Sequence, residues 1–200
     1  GSKYIDKIIL STDYNQNKLS KLSKKYYLKR EKSLSGDYSL SFDVIKNILK
    51  KKIDKNINYD IVVLLEPPAP FRNANLVDKC IKMLYSNNAT SVVTLKKLDD
   101  YHPIRVKKFV SKNEIADFVI DEPKKGLPRQ KQVDAYIRDT SVYVFNANNF
   151  LNGKNLLYGK KKFAIFNKNK YAINIDNELD YMLAKLILEK GLISKKDLPF

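Results

Sequence analysis

The sequence predicts an α/β domain, a Rossmann-like sheet that is mixed but mostly parallel and flanked by helices, and three observations point to it. Short apolar runs rich in Ile and Val, clearest in Asp60–Leu65, alternate with stretches whose apolar residues recur at helical spacing. The strand-like runs end in polar or ladder-breaking residues, Ser11–Asp13 after the first and Pro67, Pro68 and Pro70 after the clearest. Buried parallel strands that deliver side chains at their carboxyl ends have this profile. The alternation extends over most of 200 residues, 44% of them hydrophobic, enough for one domain with a packed core but hardly for two.

Taken in order, Ile5–Leu10 reads as a buried parallel strand. Gln16–Tyr27 carries Leu19, Leu22 and Tyr26 at helical spacing, and Gly36 breaks the chain before a second helix over Phe42–Lys52. Asp60–Leu65 is the next strand, Asn75–Tyr85 a helix, and Ser91–Leu95 a β-branched strand. From Lys96 to Arg138 the periodicity weakens among charges and Pro103, Pro123 and Pro128, so this segment is expected to project from the core. Strands are predicted again at Ser141–Phe145, Phe163–Phe166 and Ala172–Ile175. The last helix, Glu178–Lys190, should turn Leu179, Met182, Leu183, Leu186 and Ile187 inward. In open sheets of this class ligands sit at the carboxyl ends of strands, which nominates Asp13, Glu66–Arg72 and Asp176.

Composition narrows the function. A formal charge of +16 invites a nucleic-acid reading, but the lysines are scattered through every segment and accompany no recognisable nucleic-acid-binding pattern. No dedicated nucleic-acid partner is expected; the charge would instead gather anions. No apolar run approaches the roughly 20 residues of a membrane span, and residues 1–10 lack the order of a signal peptide, so a cytoplasmic protein without membrane attachment is expected. The single cysteine, Cys80, lies in a helical apolar pattern and reads as a buried structural thiol. His102, the single histidine, precedes Pro103 and reads as a structural residue of a turn rather than a base.

Several runs together resemble one known family. IDKIILSTD (5–13), LSGDYSLSFDVI (34–45), DIVVLLEPPAPFR (60–72), HPIRVKKF (102–109), PRQ (128–130), SVYVF (141–145) and INIDNELD (173–180) occur in the order and spacing of the CMP-sialic acid synthetases, a family of sugar-acid cytidylyltransferases. The resemblance covers nearly the whole chain, taken as one domain over residues 1–200 with residues 96–138 as the projecting segment used for dimerisation and for the sugar site. It starts at the family's second strand. The opening strand and loop A-R-x-G-S-K-x-x-x-x-K-N, which holds the CTP phosphates, has no counterpart here, so an incomplete amino end is expected.

The resemblance implies a nucleotidyltransferase that moves CMP from CTP to the anomeric hydroxyl of an acidic nine-carbon sugar of the sialic, legionaminic or pseudaminic type, with pyrophosphate leaving. Such a transfer relies on positioning and charge neutralisation more than on a covalent nucleophile. The family's closing motif holds Mg²⁺ (or Mn²⁺) on two alternate aspartates, matched here by Asn174 and Asp176, the latter also a catalytic candidate. Arg72 is the other catalytic candidate. Glu66, where the family usually has Gln, is a substrate-binding candidate, as are Asp13, Arg105, Arg129 and Gln130. Arginine suits this task because its planar fork grips a carboxylate at two points, and of five arginines three lie in matched motifs. A homodimer whose subunits complete each other's sugar sites is also implied. The alternatives are a CMP-Kdo synthetase, which HPIRVKK and PRQ resemble less, and an inactive dimeric nucleotide- or sugar-binding relative.

Overall fold

The computed structural model describes residues 1–53, 57–98, 101–152 and 156–193. Chain order runs β1 (Leu10–Thr12), a short α1 (Lys21–Lys25), β2 (Tyr27–Lys29), α2 (Ser41–Ile53), β3 (Ile61–Leu64), α3 (Ala74–Ser86) and β4 (Ser91–Lys97). A two-stranded excursion, β5 (Lys107–Phe109) and β6 (Ile115–Asp117), precedes β7 (Tyr136–Asn146), α4 (Asn148–Leu151), β8 (Lys162–Phe166) and α5 (Glu178–Glu189). The main sheet has the order β3, β7, β4, β8, with β7 antiparallel to both neighbours and β8 parallel to β4. Three of its four strands therefore point the same way, as expected, and their carboxyl ends share one rim.

Pleat alternation along β7 divides the core between the two faces. Val142 and Val144 pack toward α3, whose Val77, Cys80, Ile81 and Leu84 are buried. Tyr143 and Phe145 face the other way, against Ile45 and Leu49 of α2 and Phe150 of α4. Each such side chain contributes about 1.5–3 kcal/mol by leaving water. Cys80 is the structural thiol expected: burial, helped by the charge of Asp139, pushes its pKa up to about 12.

Four expectations are corrected. The first strand is Leu10–Thr12 rather than Ile5–Leu10, and it pairs with Tyr27–Lys29 in a separate sheet. Ile5 instead packs on the α3 core, while Ser2 Oγ and the Lys3 amide bond to Asp78 of α3 at 2.5 and 3.2 Å. The predicted Gln16–Tyr27 helix is split, because Asn15 caps a 3-10 turn over Gln16–Lys18 and Ser20 starts a new helix by accepting from Ser23 N. Ala172–Ile175 forms no ladder. It runs beside the proline turn, where prolines have no N–H to donate, and Ile175 N makes a bond to the Pro68 carbonyl at 2.8 Å. Finally, α5 buries Ala184 and Ile187 but leaves Leu179, Met182, Leu183 and Leu186 exposed.

Within the predicted 96–138 segment, residues 99 and 100 lie outside the described residues. The segment leaves the sheet at Leu98, whose amide bonds Ala135 O at 2.9 Å, and carries the β5–β6 hairpin. Lys107 pins the hairpin base through Asp117 and Glu122, and its ammonium, with the Glu122 backbone amide, holds the Asp117 carboxyl below its ordinary pKa. Phe109, Val110, Ile115, Phe118, Val119 and Ile120 are exposed along it.

Candidate functional site

Where β3 ends, the prolines cannot continue the ladder and the chain turns back, with Ala69 N bonded to Glu66 O at 3.3 Å. Arg72 closes the turn. Its Nη1 donates to the Glu66 carbonyl at 2.8 Å and to the Ser141 carbonyl of β7 at 3.3 Å. Burial lowers the pKa of Arg72 and the Glu66 carboxylate opposes that shift, leaving a guanidinium that is charged at any physiological pH.

Opposite this turn β7 carries a bulge. The register with β4 jumps between Val93 and Leu95, so Asp139–Val142 stand against Thr94. The Asp139 carboxylate, 3% exposed, replaces the lost ladder bonds. It accepts from Thr94 Oγ1, from Ser141 N at 3.0 Å and from Asn167 Nδ2 at 2.6 Å. Thr94 is the middle residue of β4 and Asn167 lies just past β8, so the bulge ties the centre of β4 and the carboxyl end of β8 to β7, with Arg72 supplying the link from the turn after β3.

The next residue, Thr140, adopts φ +59°, a left-handed conformation that strains a β-branched side chain. Its hydroxyl reaches Asn174 Oδ1 at 2.8 Å and its neighbour's carbonyl, Asp139 O, at 2.7 Å. Asn174 Nδ2 in turn donates to the Asp176 carboxylate. The α5 cap is formed by Asn177 and Asp180, whose carboxylate accepts from the amides of Asp176 and Asn177 at 3.0 and 3.2 Å. The Asp176 carboxylate takes no part in that cap. Glu66, Arg72, Asn174 and Asp176 are thus gathered on one rim by bonds through Thr140, Ser141 and Pro68. Among the described residues no three His, Cys, Asp or Glu side chains form a metal cage. One exposed carboxylate beside an amide suits a Mg²⁺ that keeps several waters and leans on ligand phosphates.

A cavity of about 500 Å³ opens beside Glu66, lined among others by Ser41 and Asp43 at the start of α2 and by Arg138, Tyr143 and Tyr158. Arg138 donates to the Tyr158 hydroxyl and stands 5.4 Å from its ring centre. Burial and then Glu66 raise the pKa of Tyr143, so its hydroxyl remains a donor. The cavity thus offers a ligand a cation, a carboxylate, hydroxyls and aromatic surface. A second cavity, of about 510 Å³, lies at the opposite rim by Asp60, Asn88 and Asn146 and takes in none of the predicted residues.

The remaining predicted residues stand outside this bonded rim. Asp13 follows β1, exposed, with its carbonyl accepting from Lys29 Nζ at 2.5 Å. Arg105 ends a 3-10 turn, Pro103–Arg105, and Arg129 and Gln130 form another, Arg129–Lys131, both exposed on the projecting segment. Sequence reasoning missed Arg138, Asp139, Thr140 and Tyr143. The available signal was the polar run Arg138–Ser141 set between Tyr136–Ile137 and Val142–Phe145, which marks a bulge.

No protein-family model matches the chain. It is 23% identical over 203 residues to post-translational flagellin modification protein B of Campylobacter coli, covering 98% of this chain and 83% of that protein. It is 24% identical over 213 residues to the N-acylneuraminate cytidylyltransferase of Escherichia coli, spanning 98% of this chain but 45% of that relative. The CMP-N,N'-diacetyllegionaminic acid synthase of Campylobacter jejuni is 23% identical over 203 residues, at 98% and 83% coverage. Among solved structures, CMP:2-keto-3-deoxy-manno-octonic acid synthetase complexed with CTP superposes with a TM-score of 0.56 over 94% of this chain and 83% of that one, at 10% identity, a likeness of fold.

Proposed function

We infer that this chain, related over nearly its whole length to the sugar-acid cytidylyltransferases, transfers CMP from CTP to the anomeric hydroxyl of a nonulosonic acid and releases pyrophosphate. The observation that carries the reading is the rim itself. Residues more than a hundred positions apart, Glu66 with Arg72 and Asn174 with Asp176, are bonded to one rim, and Glu66 also lines a cavity of about 500 Å³ together with Arg138 and Tyr143.

In this reading the sugar occupies the cavity, where Glu66 accepts from ring hydroxyls and Tyr143 donates. Arg105, Arg129 and Gln130, from the projecting segment, meet the sugar's carboxylate, and Asp13 helps to bound the substrate site. Arg72 holds the turn rigid and its charge offsets negative charge that grows at the α-phosphate during attack. Mg²⁺, held by Asp176 with the Asn174 carbonyl oxygen after amide rotation, would polarise the phosphate oxygens. The sugar hydroxyl gives its proton to solvent water and bonds to the α-phosphorus while the bond to pyrophosphate breaks. The protein would work in the cytoplasm as a homodimer, joined through the apolar β5–β6 hairpin so that one subunit completes the other's sugar site. No helix among the described residues is long and apolar enough to cross a membrane.

Asn174 favours a second reading, an inactive dimeric binder, because its amide replaces a charged metal ligand. Pyrophosphate release from CTP and Mg²⁺, followed with N-acetylneuraminate, legionaminic, pseudaminic and Kdo acids, separates the two. Turnover with a nine-carbon acid is expected. A melting midpoint raised by CMP without any turnover would select the binder, and neither response would sink both.

A further inference from the structure

We propose that His102 is a positioning residue for sugar-acid recognition, holding the Arg105 turn and the Arg129–Gln130 turn in one register. The inference rests on the functional reading above, in which those residues meet the sugar acid. The imidazole is 8% exposed and both its nitrogens are engaged. Nδ1 accepts from Ile104 N at 3.3 Å, capping the 3-10 turn that ends in Arg105, whose own amide bonds the His102 carbonyl at 2.9 Å. Nε2 lies 2.9 Å from Val133 O, two residues past the Arg129–Lys131 turn. An acceptor at Nδ1 and a carbonyl at Nε2 can be satisfied together by one form alone, the neutral ring with its proton on Nε2. One buried side chain therefore bridges two segments separated by some 25 residues of chain, each carrying an exposed arginine.

The loop beyond Val133 is anchored as well. Asp134 pairs with Lys97 at the end of β4 at 2.5 Å, and Gln132 Nε2 donates to Leu127 O at 3.1 Å. These contacts hold the loop to the sheet and close it on itself. The His102 bond sets where it lies relative to Arg105. Two arginines on separate segments can meet one sugar acid only at a set separation, since a displacement near 1 Å is enough to spoil productive geometry.

Two variants divide the roles of the ring. His102→Asn keeps an oxygen that can cap Ile104 N but is too short to reach Val133. His102→Gln reaches Val133 with an amide donor and caps poorly. With N-acetylneuraminate and a diacetylated legionaminic acid as probes, H102N should bind the acid about tenfold more weakly, the size of one lost hydrogen bond. H102Q should stay within about threefold of wild type, and CMP affinity should be the same in all three. Amide hydrogen exchange at residues 129–134 should quicken in H102N while Ile104 remains protected. Because His102 is the single histidine, its ring nitrogen spectrum must also report the Nε2–H form without ambiguity.

Unchanged exchange at 129–134 in H102N, or unchanged affinity for the acid beside a wild type that binds it, overturns the positioning role alone. A wild type that binds CMP but no sugar acid overturns the sugar-acid reading, and the positioning role with it.

Discussion

A carboxylate that is 3% exposed must find donors, and Asp139 finds them in the middle of β4, just past β8 and in its own bulge, which is how a single residue joins β4 and β8 to β7. Gly159 shows the same dependence on neighbours. At φ +65° a Cβ there would lie 2.5 Å from Thr90 Cβ and 2.9 Å from Asn149 Oδ1. Thr90 cannot yield, because its hydroxyl is bonded to Tyr158 O and Lys161 O at 2.8 and 2.9 Å. Gly159→Ala is expected to cost about 2–4 kcal/mol, read as a lower urea midpoint. Asn174 tests the inferred metal position. Asn174→Asp adds a second carboxylate beside Asp176, so Mg²⁺ affinity in the presence of CTP should rise about tenfold by calorimetry. An unchanged affinity would remove residues 174 and 176 from the metal. Residue types at both positions were legible in the motif, whereas the Thr140 hydroxyl that steadies Asn174 was not, since the two are 34 positions apart.

At the scale of elements, helix α5 separates pattern from contact. Its period correctly located a helix, but the stripe Leu179, Met182, Leu183 and Leu186 faces outward, Leu179 being 74% exposed. Contact is made by Ala184 and Ile187 against Phe71 beneath the proline turn. Ile187→Ala should therefore cost about 2–4 kcal/mol, while Leu186→Ala should cost less than about 1 kcal/mol. Equal losses in denaturant titrations would show that the outer stripe is packed after all. The same distinction explains the amino-terminal region. Asn15 and Ser20 are both good caps, and two starts within six residues make two short pieces where periodicity alone reads one helix. Ala172–Ile175 has strand composition, but a strand needs a donor-bearing neighbour and its neighbour is Pro-rich.

For the whole molecule, the inferred homodimer makes the exposed hairpin its test. Phe109 and Val119 are 75% and 76% exposed, and burying such side chains between two copies would supply much of an interface. Val119→Asp is expected to give a monomer in sedimentation velocity with little loss of fold stability, because the side chain touches no core. A wild type that sediments as a monomer would discard the hairpin as a dimer contact. The sequence by itself determined the alternation of strands and helices, the strand end before Glu66, and the excursion between β4 and β7. These are local matters of periodicity, proline chemistry and charge. Tertiary structure alone decided that β7 enters between β3 and β4, that its bulge binds β4 and β8 through Asp139, and which stripe of α5 is covered. Those outcomes depend on pairing and packing between segments far apart in the chain, and no local pattern encodes the partner.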